Sequence, residues 1–221
     1  MIDAYEREQG AAIDREWLDD LALRTQVVIK RSDLCYQHGR VLYAALRRYM
    51  RDRRHEHLNI VETGTARGFS TLCMARALSD AGASGKIVSF DVLPHEDVMY
   101  WNCYHDAEGP RTRADLLSDY AKLIERYIVF HQGDTRRLRD TVFPRVHFAF
   151  LDSVHTYDHV MAEYAAIQGR QREGDMLVFD DYSAAYPGVT RAADEICQAH
   201  AYASTCIEAG PSRRYLVAEK Q

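Results

Sequence analysis

The 221-residue sequence predicts an α/β fold built on a doubly wound, mostly parallel sheet of seven strands. Short apolar runs that fit buried strands alternate along the chain with segments of helical hydrophobic spacing. Apolar residues make up 47% and charged residues 28% of the sequence, which is an ordinary globular composition. The length exceeds a typical domain of ~150 residues, and the excess fits an N-terminal helical extension.

The first 55 residues are predicted to be helical. Apolar residues at helical spacing indicate one helix over 12–30 and a second over 38–53. A basic cluster at 47–54 closes the second helix, where cations interact favourably with the helix dipole. We therefore divide the chain into an extension, 1–55, and an α/β unit, 56–221, within one structural domain. The extension is expected near the strand tips, as a lid or as a dimer contact.

The remainder of the chain alternates between strands and helices. Predicted strands cover 58–62, 86–91, 127–130, 147–152 and 176–180, with two more near 203–208 and 213–219. Predicted helices cover 68–78, 116–127, 160–167 and 189–197, and a long loop runs over 92–113. Since crossovers between parallel strands are right-handed, we expect helices on both faces of the sheet.

Charge and composition exclude several classes of protein. The formal net charge is -5, whereas nucleic-acid binders normally carry a basic excess. No apolar run approaches the ~20 residues of a membrane helix, and the acidic, polar N-terminus is not a signal peptide. The five cysteines show no CxxC spacing, which indicates reduced thiols. We expect a soluble, cytoplasmic protein without a nucleic-acid or membrane partner.

Acidic residues follow the predicted parallel strands. They are Glu62, Asp91, Asp134, Asp152 and the pair Asp180 and Asp181. Ligands of doubly wound sheets bind outside the carboxyl ends of the strands. The sequence therefore predicts a ligand site along this edge of the sheet.

The first strand leads into a glycine turn that suits an anion. Gly64 and Gly68 bracket the turn, and the following helix offers backbone N–H donors. The spacing is GxxxG instead of the GxGxxG of dinucleotide sites, which favours a smaller anion such as an amino-acid carboxylate. An ordinary turn that needs glycine remains the alternative. Asp91 follows 27 residues after Gly64, where an acid commonly accepts hydrogen bonds from both ribose hydroxyls.

These residues resemble the class I S-adenosylmethionine-dependent methyltransferases. The segment Glu-Thr-Gly-Thr-Ala-Arg-Gly at 62–68 is similar to their first motif, and Asp91 to their second. Gly-Asp-Thr at 133–135 is similar to their adenine-contacting turn. The resemblance covers roughly residues 38–219.

This resemblance implies a Rossmann-like fold that binds S-adenosylmethionine. The implied cofactor-binding residues are Glu62, Gly64, Thr65, Gly68, Ser70, Asp91, Gly133, Asp134, Thr135 and Asp152. Glu62 and Gly64 would face the methionine part, and Asp91 the ribose. Asp134 or Thr135 would contact the adenine.

Three carboxylates follow the fourth and fifth strands. In a parallel sheet, Asp152 can lie beside Asp180 and Asp181. Two carboxylates ~4 Å apart repel by about 4 kcal/mol at an effective dielectric near 20, so three need protons or a cation. Oxygen ligands suit Mg²⁺, with Mn²⁺ or Ca²⁺ as substitutes.

The surrounding segments resemble a narrower branch of the same family. Residues 150–160 and 174–182, with DxxHxY and a terminal DDY, are similar to metal-dependent small-molecule O-methyltransferases of the macrocin and catechol type, related to the cephalosporin hydroxylase family. The resemblance implies a divalent metal, Mg²⁺ or similar, on Asp152, Asp180 and Asp181. Asp181 capping the following loop is the alternative. A zinc site at His155 and His159 is disfavoured because the HExxH pattern is absent.

The predicted reaction is methyl transfer from S-adenosylmethionine to a hydroxyl of a small molecule, which leaves S-adenosylhomocysteine. The acceptor is a sugar, a catechol or a natural-product intermediate. Asp152 and His155 are the predicted catalytic residues; His155 either takes the hydroxyl proton or only orients its loop. Two alternatives are an NAD-dependent oxidoreductase, whose fingerprint is missing, and a non-catalytic S-adenosylmethionine-binding protein. A homodimer through the N-terminal helices is a further expectation.

Overall fold

The seven predicted strands form one sheet. The computed structural model describes residues 1–29, 35–52, 57–141, 144–210 and 213–221. Its strands are β1 (Leu58–Thr63), β2 (Gly85–Asp91), β3 (Ile128–Gln132), β4 (Phe148–Leu151), β5 (Met176–Phe179), β6 (Tyr202–Glu208) and β7 (Arg214–Lys220). The sheet order is β3-β2-β1-β4-β5-β7-β6. Strands β1 to β5 are parallel, and β7 is antiparallel to both β5 and β6. The doubly wound, mostly parallel sheet is confirmed.

Eight α-helices accompany the sheet within the described residues. They are α1 (Ile2–Gln9), α2 (Arg15–Thr25), α3 (Gln37–Asp52), α4 (Phe69–Asp80), α5 (Arg113–Leu116), α6 (Ala121–Tyr127), α7 (Tyr157–Ile167) and α8 (Pro187–Ala199). Short 3₁₀ turns lie at Tyr104–Glu108, Ser118–Tyr120, Thr135–Asp140 and Gln168–Arg170. In the part of the chain that is described, no helix is both long and apolar enough to cross a bilayer.

The two faces of the sheet carry separate hydrophobic cores. Along β4, Phe148 and Phe150 point into the core under α1 to α6, whereas Ala149 and Leu151 point into the core under α7 and α8. This alternation follows from the two-residue period of a strand. Helices on both faces are confirmed, and the N-terminal helices share the first core with the sheet.

The N-terminal helical prediction is wrong in its boundaries. The helix predicted over 12–30 spans only Arg15–Thr25, because the Asp14 side chain caps its start and Gln26 is extended. An unpredicted helix, α1, precedes it and ends at Gly10, whose φ is +67°. The sequence of α1 is too polar to show the apolar spacing of a helix, so α1 was not predicted. Its side chains Ile2 and Tyr5 pack in the hydrophobic core and hold it in place. The division at residue 55 and the end of the basic cluster lie outside the described residues.

The helix predicted over 116–127 is also wrong, because it is divided into α5, a 3₁₀ turn and α6. The backbone leaves the helical conformation at Leu117. The turn brings Tyr120 to α2, where its hydroxyl donates to Asp20 at 2.7 Å. The break therefore reflects a tertiary contact that helical periodicity does not contain.

Candidate active site

Two cavities lie side by side at the carboxyl ends of the parallel strands, and both are lined by Gly64, Ala66 and Asp152. The β2-side cavity has a volume of about 340 Å³, and its walls include Asp91, Asp134, Thr135, Ser153 and His159. The β5-side cavity has a volume of about 320 Å³, and its walls include Thr65, Ser70, His155, Asp180, Asp181 and Arg213. Most residues predicted for the site thus line one connected region. Glu62, Gly68 and Gly133 line neither cavity.

The glycine turn brings β1 against the end of β4. Gly64 has φ +87°, and a Cβ there would lie 2.0 Å from the carbonyl oxygen of Asp152. Only glycine fits this approach. Gly68 also has a positive φ, +90°, immediately before α4.

Glu62 lies beneath the turn, fully buried. Its carboxylate accepts hydrogen bonds from the hydroxyls of Ser70, Thr71 and Ser89. Burial raises the pKa of Glu62 despite these donors. The contacts tie β1 to α4 and β2, while a direct contact between Glu62 and the cofactor stays a prediction.

Asp91 faces the β2-side cavity in a fixed orientation. It accepts the backbone N–H of Ala66 at 2.5 Å and that of Leu93 at 2.8 Å. The buried Arg113, which sequence reasoning missed, donates from Nε to the Ala66 carbonyl at 3.0 Å and places Nη2 4.0 Å from Asp91. Arg113 ends the long loop after β2, and no local pattern distinguishes it from a surface arginine.

The turn after β3 forms the far wall of the β2-side cavity. The Gly133 N–H donates to the Asp91 carbonyl at 2.7 Å, which fixes the turn beside β2. Arg136 donates to the Asp134 carboxylate through its side chain and its backbone N–H, and these bonds hold the pKa of Asp134 well below its ordinary value. His159 Nε2 lies 4.0 Å from the same carboxylate.

The predicted acidic trio comes together around His155. His155 Nε2 lies 3.3 Å from an oxygen of Asp152 and 3.3 Å from an oxygen of Asp181. The Asp181 N–H donates to Asp180 at 2.7 Å, with Asp181 in a left-handed conformation at φ +52°. Burial raises the pKa of Asp152 well above its ordinary value, and the neighbouring Asp180 and Asp181 raise it further. Burial also raises the pKa of Asp180.

Arg213 supplies a positive charge to this cluster, and sequence reasoning missed it. Its Nη1 donates to Asp181 at 2.5 Å. Because β7 is antiparallel to β5, the start of β7 lies beside the end of β5. No sequence signal links two side chains that meet only through this pairing.

The donor set fits a divalent cation. Ligand atoms of Asp152, His155 and Asp181 lie within 4.8 Å of one another. Asp180 belongs to the predicted trio and lines the same cavity, but His155 takes its place in this closest grouping. Carboxylate oxygens are the ligands that a hard divalent cation prefers. Burial and the neighbouring carboxylates both raise the pKa of Asp152, and a bound cation or a proton would offset the repulsion among these groups.

Residues of the N-terminal segment line one side of the β5-side cavity. They are Ala22, Thr25, Gln26, Val27, Cys35, Tyr36 and His38. The His38 ring packs edge-on against Phe69, with ring centroids 4.9 Å apart. This part of the lining therefore combines aromatic rings with small apolar and polar side chains.

Residues 61–182 match the family model described as Methyltransferase domain. The match covers more than half of the chain, and the protein belongs to this methyltransferase family. A comparison with curated proteins found no match.

Solved structures share the fold. The O-methyltransferase TomG from Streptomyces achromogenes, involved in tomaymycin synthesis and solved with S-adenosylmethionine, superposes with a TM-score of 0.63 at 17% identity, covering 95% of this chain and 91% of that one. An O-methyltransferase from Bacillus cereus in complex with S-adenosylhomocysteine gives 0.62 at 15% identity and covers 100% of both chains. An rRNA methylase from Streptococcus thermophilus gives 0.57 at 17% identity, covering 88% of this chain and 99% of that one. At these identities the likeness is one of fold.

Proposed function

We propose that this methyltransferase transfers a methyl group from S-adenosylmethionine to a hydroxyl of a small molecule and releases S-adenosylhomocysteine. The observation that carries the proposal is the pair of cavities that meet at Gly64 and Asp152. One is lined by an acid suited to a ribose, and the other by a cluster suited to activating a hydroxyl. The two O-methyltransferases named above, solved with the cofactor and with its product, support it.

The cofactor would span both cavities. Asp91, oriented by two backbone N–H groups, accepts the ribose hydroxyls in the β2-side cavity. Asp134 and Thr135 line the same cavity and would contact the adenine. Thr65 and Ser70, beyond Gly64, line the other cavity and would contact the amino-acid part. Asp152 lines both cavities, so it would lie beside the methyl group of a cofactor bound in this way.

The acceptor would occupy the β5-side cavity. Transfer to a hydroxyl is an in-line displacement, so alignment of the two reactants supplies much of the rate enhancement. The hydroxyl must also lose its proton, and Asp152 and His155 lie together where the acceptor would meet the methyl group. The aromatic residues that line the same cavity, Tyr36, His38 and Phe69, would contact the remainder of the acceptor.

A divalent cation fits this cluster, with Asp152, Asp180, Asp181 and His155 as candidate ligands. When bound, it supplies Lewis-acid activation that lowers the pKa of the acceptor hydroxyl. Arg213 holds Asp181 and balances part of the charge of the three carboxylates.

The site favours a small acceptor over RNA. The acceptor cavity is about 320 Å³ in volume and is lined by three carboxylates. The chain has a net charge of -5, which repels a polyanion. An rRNA methylase shares the fold, but the volume and the negative charge of the site in this chain do not suit an RNA substrate.

The first test is binding of S-adenosylhomocysteine, measured by thermal unfolding with and without Mg²⁺, with NAD as the control. Saturation at ~100 times the dissociation constant adds about 2.7 kcal/mol of stability. Each kcal/mol raises Tm by roughly 2–4 °C in a chain of this size. A shift with NAD alone would contradict the proposal and favour the oxidoreductase alternative.

The second test is the variant Asp152→Asn. Loss of the carboxylate beside the methyl group should lower kcat by roughly 100-fold or more, and S-adenosylhomocysteine should still bind. Turnover is measured as S-adenosylhomocysteine release on a panel of catechols and glycosides, with and without a chelator. Asp158→Asn, an exposed aspartate on the same segment, is the matched control. Full activity of Asp152→Asn would exclude the proposed role.

A further inference from the structure

A second buried carboxylate lies under the site, on the opposite face of the sheet from α4, and has no role in the mechanism above. Glu163, in the middle of α7, is 1% exposed. The Thr63 hydroxyl donates to one of its oxygens at 3.0 Å, and the Ser153 hydroxyl donates to the other. The Thr135 hydroxyl also interacts with this carboxylate. Its environment is therefore built from hydroxyl donors.

The three hydroxyls come from the ends of three different strands. Thr63 ends β1 and immediately precedes Gly64. Thr135 follows β3, and Ser153 follows β4 and Asp152. Thr135 and Ser153 both line the β2-side cavity. Glu163 therefore connects the three strand ends that surround the proposed adenosine position.

The chemistry of a carboxylate explains why this residue is an acid. An ionised carboxylate only accepts hydrogen bonds, through about four lone-pair positions, so it can orient three hydroxyls at once. A glutamine has one accepting oxygen and can satisfy only part of this set. Burying a carboxyl group is costly unless such donors surround it. The core side of α7 is otherwise apolar, and an apolar residue at this position would cost less free energy to bury.

We propose that Glu163 is a positioning residue that fixes the adenosine half of the cofactor site by holding the ends of β1, β3 and β4 together through Thr63, Thr135 and Ser153. The inference rests on the proposed function, since it assigns this cavity to the cofactor. Glu62 makes the corresponding contacts on the other face, with Ser70, Thr71 and Ser89.

The test compares Glu163→Gln and Glu163→Ala with the wild type. Calorimetry measures the Kd of S-adenosylhomocysteine and of 5′-methylthioadenosine, which lacks the amino-acid part. Glu163→Ala should weaken both ligands about tenfold, and Glu163→Gln should recover part of the loss. The KM for S-adenosylmethionine should rise together with the two Kd values. The KM for the acceptor should stay within twofold of the wild-type value.

A control separates positioning from stability. Ile167→Ala removes a fully buried side chain one turn further along α7, in the core and outside both cavities. It should lower Tm and leave both Kd values unchanged. If Glu163→Ala does not fold, Ser153→Ala and Thr63→Val replace it, each weakening 5′-methylthioadenosine severalfold. Combined with Glu163→Gln, each should add less than its separate effect, because the residues act together.

The outcomes distinguish this inference from the proposed function. If the wild type binds S-adenosylhomocysteine and the Glu163 variants bind it equally well, the positioning role is wrong and the proposed function stands. An equal loss of affinity in Ile167→Ala would likewise overturn the positioning role. If the wild type does not bind S-adenosylhomocysteine, both proposals are wrong.

Discussion

Gly64 is the residue where the backbone of one strand end touches that of another. In Gly64→Ala the new Cβ would meet the Asp152 carbonyl at 2.0 Å, and the residue would keep a φ of +87°. The left-handed conformation costs roughly 1–2 kcal/mol, and overpacking typically adds about 1–3 kcal/mol. We expect a loss of about 2–5 kcal/mol in unfolding free energy, measured in urea, together with loss of S-adenosylhomocysteine binding.

Gly82 provides the matched control for this substitution. It has φ +61°, and nothing lies within 4 Å of an added Cβ. Gly82→Ala should therefore show only the conformational cost and bind the nucleoside normally. Equal effects of the two substitutions would show that the contact with Asp152 is not the cause.

At the scale of elements, α1 is held to α3 by a buried ion pair. Arg40 donates through Nε to Glu6 at 3.0 Å and through Nη2 at 2.5 Å, and Glu6 is 4% exposed. Arg15 also contacts Glu6, at 2.7 Å, and would remain after Arg40 is removed. Arg40→Leu should therefore cost about 2–3 kcal/mol, somewhat less than the 3–5 kcal/mol typical of a broken buried pair.

Urea unfolding of Arg40→Leu measures this loss, and the double variant with Glu6→Leu should recover most of it. Arg137→Leu, at an exposed pair with Asp140, is the control and should change stability by less than about 0.5 kcal/mol. No change in Arg40→Leu would mean that apolar packing alone holds α1.

For the whole molecule, the acidic cluster predicts how stability changes with pH. Burial raises the pKa of Asp152 and Asp180 in the folded protein. A carboxyl group whose pKa is raised by folding contributes its full stabilisation below the pKa that it has in the unfolded chain, about 3.9. This contribution to stability is lost as the pH rises through the pKa of the group in the folded protein. Ordinary carboxylates are ionised in both states above about pH 5, so a loss of stability of the ligand-free protein above that pH would come from this cluster.

Thermal unfolding between pH 5 and 8 tests this dependence against Asp180→Asn. The variant should gain stability relative to the wild type as the pH rises, since it removes one of the crowded carboxylates. Mg²⁺ should raise the Tm of the wild type most at the upper end of this range. Parallel pH profiles for the two proteins would contradict the assignment of the crowded charges to this cluster.

Local sequence patterns were sufficient to predict the architecture and the edge of the sheet where most of the candidate site residues lie. Strand and helix periods are properties of consecutive residues, so the alternation of elements and the acids near strand ends could be read directly. Because parallel strands align their carboxyl ends, Asp91, Asp152 and Asp180 could be expected at one edge. The breaks in the predicted helices around Gln26 and Leu117 could not be expected from the sequence, because distant residues contact the chain beside each break. The Val28 N–H donates to the Asn102 carbonyl at 3.0 Å, and the Tyr120 hydroxyl donates to Asp20 at 2.7 Å.

By itself, the sequence determined the parallel α/β sheet, the glycine turn and the acidic edge, because each depends on neighbouring residues and on a strand period of two. Only the tertiary structure placed Arg213 on Asp181, Glu163 under the strand ends and Arg113 behind Asp91. These contacts join residues 32, 100 and 22 positions apart. Strand pairing and helix docking bring them together, and the burial that fixes their chemistry exists only in the folded chain.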